Sequence, residues 1–157
     1  MTIFSFIVMA VLILLLIWLS IIDIRERRLP NGLVLAVTVL GLGYSLVKCI
    51  YISNWIPLRD SLLGILLAAA PALLFSLLYF VLRGQEGFGA GDIKLLAASG
   101  LYFGIAGIAL LPLASLLAAL ATLPQLAFAK EKAREHTFAF GPYISVAAIL
   151  LLLLNVL

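Results

Sequence analysis

Two aspartates stand in a chain that is otherwise almost entirely apolar. Asp23 closes a long hydrophobic run, in Ser20-Ile-Ile-Asp23-Ile-Arg-Glu-Arg-Arg-Leu-Pro30-Asn31, and Asp92 ends a glycine-rich stretch, Gly87-Phe-Gly-Ala-Gly91-Asp92-Ile-Lys94. An ionisable group in or beside a bilayer is expensive to keep there and marks a functional site by default. Two carboxylates at one depth suit acid–base chemistry, and hydrolysis of a peptide bond by such a pair needs no covalent intermediate. The ionised one takes a proton from water while the protonated one donates to the carbonyl oxygen. Held close together they cannot both ionise, so they share a proton. This chemistry needs no cofactor and no metal, and none is expected. Gly87, Gly89 and Gly91 lack side chains and leave room for backbone to pack against an extended substrate just before Asp92. Lys94 either helps to shape that loop or snorkels to the interface.

Each aspartate also has a plainer reading. Asp23 lies beside Arg25, Arg27 and Arg28 and reads as a solvated loop charge; Asp92 reads as a carboxylate at a helix N-terminus, where exposed amides favour it. Only the pair, brought to one face, favours chemistry. Nucleotide binding by the glycines is set aside, because no strand precedes them and no Lys-Ser/Thr follows.

The elements that must position the pair are helices in a membrane. Of 157 residues, 66% are hydrophobic and 11% charged, with a mean hydropathy of +1.29. A soluble domain carries roughly 25% charged residues. The class is therefore an all-α, polytopic membrane bundle, in which the backbone bonds itself internally. A span takes about 20 apolar residues, and the apolar segments fall at Ile3–Ile22, Leu33–Ile52, Leu62–Leu82, Ile93–Leu111, Leu113–Ala129 and Phe138–Leu157. About six spans in a single domain over residues 1–157 are expected. The first is a retained span and not a signal peptide. Pro112 is expected to separate the fourth from the fifth. Gly100-Leu-Tyr-Phe-Gly104 permits close approach of the fourth span to a neighbour. Trp18, Tyr51 and Trp55 are read as packing residues, Cys49 as a small apolar residue within a span, and His136 as a solvated loop residue.

Charge sets the orientation. With the N-terminus outside, the inner loops hold Arg25, Arg27, Arg28, Arg83, Lys94, Lys130, Lys132 and Arg134, and the outer side holds only Lys48 and Arg59. The net charge of +3 thus reflects topology, and no nucleic-acid partner is expected. Asp23 ends the first span on the inner side and Asp92 begins the fourth there, so both carboxylates share one membrane face.

At these residues the sequence resembles the type IV prepilin peptidases, membrane aspartyl proteases of the Gly-x-Gly-Asp kind. Asp23 with the downstream Leu29-Pro30-Asn31 is similar to the family's first motif, Glu86-Gly-Phe-Gly-Ala-Gly-Asp92-Ile-Lys94 to its second, and Phe140-Gly141-Pro142-Tyr143 to the segment that opens its last core span. The resemblance implies a six-helix core, with Asp23 and Asp92 as the catalytic pair at the cytosolic face of a bacterial plasma membrane. It implies removal of a short basic leader from prepilins or pseudopilins. The loop from Asp23 to Asn31 is minimal and lacks cysteine, whereas bifunctional members carry an insert there, linked to N-methylation. The chain therefore resembles the short, peptidase-only branch, and methyl transfer is not expected. Two other classes remain open on the residues alone. One is a small proton-coupled carrier, which would place its carboxylates near the midplane; the other is a non-catalytic assembly subunit. The sequence is silent on oligomeric state.

Overall fold

The computed structural model describes residues 2–85, 87–128 and 139–154. They form six α-helices: α1 (Thr2–Glu26), α2 (Asn31–Ile52), α3 (Ile56–Arg83), α4 (Ala90–Phe103), α5 (Leu110–Phe128) and α6 (Gly141–Leu154). A 3-10 segment, Gly104–Ala109, joins α4 to α5, and there is no strand among the described residues. The protein is a multi-pass membrane bundle. Four apolar stretches are long enough to cross a bilayer: Ile3–Glu26, Asn31–Ile52, Ile56–Arg83 and Ala90–Leu123, with α6 a shorter apolar helix. The start expected for the last span, Phe138, lies outside the described residues, as do Lys130, Lys132, Arg134 and His136.

Apolar side chains cover the outside as well as the core. Leu14, Leu35, Ile50, Leu66 and Leu74 are all exposed, as suits helices whose outer faces meet lipid. Trp18, Tyr51 and Trp55, expected to pack, are instead 58%, 68% and 75% exposed. Their amphipathic rings sit more favourably at a water–lipid boundary than inside a bundle of small and aliphatic side chains. Cys49 is buried, as expected.

Inside, the buried residues recur at helical spacing. Leu12, Leu16 and Leu19 of α1 are fully buried, and Asp23 continues the same stripe one turn later. On α4 the stripe is Leu95, Leu96 and Ser99, which Asp92 begins; on α6 it is Ile144, Ala148 and Leu152, which Gly141 begins. The phase of each helix therefore turns these residues inward. α4 packs against α3 and α2, and α6 against α1 and α5. α4 also meets α6, so both halves of the bundle share one core.

The break between the fourth and fifth helices does not fall at Pro112, which lies in the first turn of α5, where a helix has no intrahelical acceptor for an N–H and so tolerates proline. The chain reverses at Gly104, whose φ of 58° is open to glycine at little cost. Beyond it, a Cβ added at Gly107 would stand 3.3 Å from Gly100 Cα, so the 3-10 segment folds back on α4. The Gly100-x-x-x-Gly104 spacing does serve close approach. A Cβ at Gly100 would collide with the Gly64 carbonyl of α3, and one at Gly104 would come within 3.3 Å of the Asp60 carbonyl.

Candidate active site

Asp23 reaches the interior because α1 stops just beyond it. Arg27 adopts a left-handed conformation, φ 52°, and its amide donates to the Asp23 carbonyl over 2.9 Å. Such a stop satisfies a carbonyl at the helix end and redirects the chain. Pro30, extended at φ −65° and ψ 125°, then opens α2 as its N-cap, and a proline holds the preceding Leu29 in extended geometry. The tight turn places Leu29, half-buried, between two later segments. A Cβ at Gly91 would stand 3.2 Å from Leu29 Cβ, and one at Gly141 would stand 3.4 Å from Leu29 Cδ2.

Asp23 is only 5% exposed, and its Oδ2 has no hydrogen-bond partner among the described residues. The first residue of α6, Gly141, closes against it. The Gly141 amide faces the carboxylate, and a Cβ on Gly141 would lie 2.5 Å from Oδ2. Ser145, one turn further along α6, donates to the Gly141 carbonyl at 3.1 Å and steadies that turn. A buried carboxylate oxygen left without a donor is costly, and such strained polar groups concentrate where chemistry is done.

Asp92 occupies the first turn of α4, where the helix dipole favours a negative charge. Its amide and that of Ile93 donate to the Gly89 carbonyl at 3.1 and 3.3 Å. Its carboxylate curls back, so that a Cβ on Gly89 would lie 3.2 Å from Asp92 Oδ2. Asp92 is half-buried. Leu29 lies against Gly91, next to Asp92, and against Gly141, next to the Asp23 carboxylate, so both aspartates stand at one end of the bundle. By surface area Asp23 is buried and Asp92 half-buried.

The remaining expected residues have mixed placements. Gly87 meets α3: a Cβ there would stand 3.2 Å from Ser76 Cα and Tyr79 Cβ. With Gly91 against Leu29, the close approaches anticipated for a substrate are in part filled by the protein's own chain. Lys94 is exposed and donates to Asn31 Oδ1 at 3.3 Å, tying α4 to the start of α2. The glycine loop is also fastened by aromatic edges. Phe88 meets Phe75 at 5.7 Å and Phe140 at 5.3 Å, and its amide donates to Ser76 Oγ at 3.3 Å. Leu29 and Gly141 carried no assigned role in the sequence. Their signal was their place in the first and third motifs, which the fold unites around the second.

In sequence the chain is similar to known leader peptidases. The sequence model of the type IV leader peptidase family matches residues 10–124, which include both aspartates. A prepilin leader peptidase/N-methyltransferase of Xanthomonas campestris pv. campestris is 35% identical over 132 residues, 84% of this chain and 44% of the relative. Proteins of the same description from Neisseria gonorrhoeae and Pectobacterium carotovorum subsp. carotovorum are each 32% identical. They cover 89% and 92% of this chain and 46% and 50% of their own lengths. The chain thus spans about half the length of the curated relatives it matches. No solved structure matches. Nothing in these relatives supports a carrier, and both aspartates stand near helix ends.

Proposed function

This chain belongs to the type IV leader peptidase family, and we propose that it is a membrane aspartic endopeptidase that removes the short basic leader from prepilins or pseudopilins. Asp23 and Asp92 form the catalytic pair. The observation that carries this reading is the convergence of an enclosed, donor-poor carboxylate on α1 with a half-buried one on α4 at the same end of the bundle. One carboxylate withdraws a proton from water, whose oxygen attacks the scissile carbonyl carbon. The other protonates the carbonyl oxygen. Collapse of the tetrahedral intermediate breaks the C–N bond, and the amine leaves with a proton returned by the pair. Gly89 and Gly141 keep side chains away from the two carboxyl groups, and Gly91 makes room for Leu29; Leu29 and the Phe88–Phe140 contact hold the three segments in register.

The active end faces the cytosol of a bacterial plasma membrane. Arg25, Arg27, Arg28, Arg83 and Lys94 belong to this end, and Lys48 and Arg59 to the other, the distribution expected of cytosolic and outer faces. A basic leader stays on the cytosolic side by the same rule, which delivers its junction with the following hydrophobic helix to the carboxylates. The proposal covers leader cleavage and not methyl transfer, since only Arg27–Pro30 separate α1 from α2. Co-expression with candidate prepilins, scored by mobility shift and by sequencing the new N-terminus, tests the assignment. A defined cut after the basic leader, without a methyl group, is expected; leader left intact on every candidate would contradict it.

A further inference from the structure

At the end of the bundle away from the carboxylates, a cavity of about 360 Å³ opens between the last turns of α2, the first turns of α3 and the α4 reversal. Its polar lining is unusual for this chain. Lys48 and Asp60 bring opposite charges to it, and Ser45 and Ser61 bring buried hydroxyls. Asp60 Oδ1 already accepts from the exposed Arg59 guanidinium at 3.1 Å, which leaves Oδ2 to meet an occupant. The Ser45 hydroxyl donates to the Gly41 carbonyl at 3.0 Å. In the Ser45–Ser61 hydrogen bond the donor is therefore Ser61, whose oxygen keeps its lone pairs as acceptors. The walls are held rigidly. Tyr44 stacks on Tyr102 at 4.9 Å, and Lys48 Nζ sits 4.3 Å above the Tyr44 ring. That cation–π contact fixes the ammonium while leaving its N–H groups to reach an anion.

The rim identifies the surroundings. Ile52, Ile56 and Ile105 line the cavity yet are large, apolar and exposed. Exposed Tyr51 and Trp55 stand on the adjoining turns, the aromatic marks of an interfacial level. An occupant that satisfies both wall and rim is itself amphipathic, with a cationic and an anionic group on one end and hydrocarbon on the other. We propose that this cavity is a binding site for the headgroup of an aminophospholipid, its phosphate on Lys48 and its primary ammonium on Asp60 and Ser61. A quaternary ammonium has no N–H for those acceptors, and the Tyr44 face that would attract it is occupied by Lys48. A purely anionic headgroup offers no N–H to Asp60 Oδ2 or to the Ser61 oxygen. The site is separate from the cleavage chemistry and holds whether or not that reading is correct.

The test is lipid retention by the full chain. Purified protein is reconstituted in nanodiscs of equal phosphatidylethanolamine, phosphatidylcholine and phosphatidylglycerol, and the lipids retained after mild detergent extraction are counted by native mass spectrometry. One phosphatidylethanolamine per chain is expected, about tenfold enriched over the other two. Lys48→Gln and Asp60→Asn should each lower that enrichment roughly tenfold, the worth of one charge-assisted hydrogen bond. Both side chains are at the surface end, and thermal unfolding in detergent checks that each variant is folded. Equal retention of the three lipids, an effect confined to one variant, or displacement by free phosphoethanolamine at matched concentration would overturn the proposal. The last of these outcomes would assign the cavity to a soluble ligand.

Discussion

Gly141→Ala isolates the geometry of the proposed catalytic pair without touching either carboxyl group. The added methyl would stand 2.5 Å from Asp23 Oδ2 and 3.1 Å from its Cγ. Ordinary contact begins near 3.4 Å, so the carboxylate must retreat by about 0.9 Å, or α6 must shift with it. Leu29 Cδ2, 3.4 Å from the same methyl, blocks the other direction. Displacing a reacting group by about 1 Å costs on the order of 100-fold in rate, some 2.7 kcal/mol in the barrier. Overpacking also costs about 1–3 kcal/mol in stability, so the melting temperature should fall while the protein stays folded under assay conditions. The assay is single-turnover leader cleavage by purified protein in detergent, beside the melting curve. Gly43→Ala is the control, because nothing lies within 4 Å of a Cβ there and alanine is the better helix former. Cleavage by Gly141→Ala within threefold of the parent, in protein that is folded, would refute the idea that this contact sets the position of Asp23.

Gly91→Val should slow cleavage about tenfold or more, since its Cβ meets Leu29 at 3.2 Å and the branched side chain must push that wedge aside; unchanged turnover would remove the role given to Leu29. Gly64→Ala should prevent accumulation of folded protein, because its Cβ would collide with backbone oxygens of Gly100 and Gly104, which cannot move as a flexible side chain can; a melting temperature within about 1 °C of the parent, under the shift of roughly 2–4 °C per kcal/mol expected for a chain of this length, would contradict the tight α3–α4 contact. Cleavage should survive exhaustive chelation, because two carboxylates and water suffice; loss of turnover restored by zinc would overturn the mechanism. The rate of cleavage against pH should be bell-shaped, as required of a pair that works with one shared proton; a profile with a single limb would show that only one carboxylate titrates in the reaction.

Much of the site was legible because charge is rare in this chain. Asp23 and Asp92 stood out against their apolar surroundings, and counting basic residues put both on one face. The helical phase was also present in the sequence, since Leu12, Leu16 and Leu19 run directly into Asp23. What sequence spacing does not contain is the identity of tertiary neighbours. Nothing local says that Gly141 must lack a side chain because a carboxylate from α1 lies against it, or that Leu29 fills the gap beside Gly91. The reversal at Gly104 was likewise hidden. Proline is the more conspicuous breaker, yet Pro112 is accommodated in a first turn while a glycine with positive φ makes the bend. Tyr51, Trp18 and Trp55 were misread as packing residues because a hydrophobic ring suits a core and an interface equally until the neighbouring helices are placed.

The central claim is that two carboxylates, one from α1 and one from α4, act on a single water at one end of the bundle. Single-turnover cleavage of a prepilin by purified Asp23→Asn and Asp92→Asn, each shown to be folded by thermal unfolding, measures it directly. Both variants are expected to lose at least about 1,000-fold in rate, and the double variant no more than either alone, as for groups that act as a unit. Substantial cleavage by either folded single variant would contradict it.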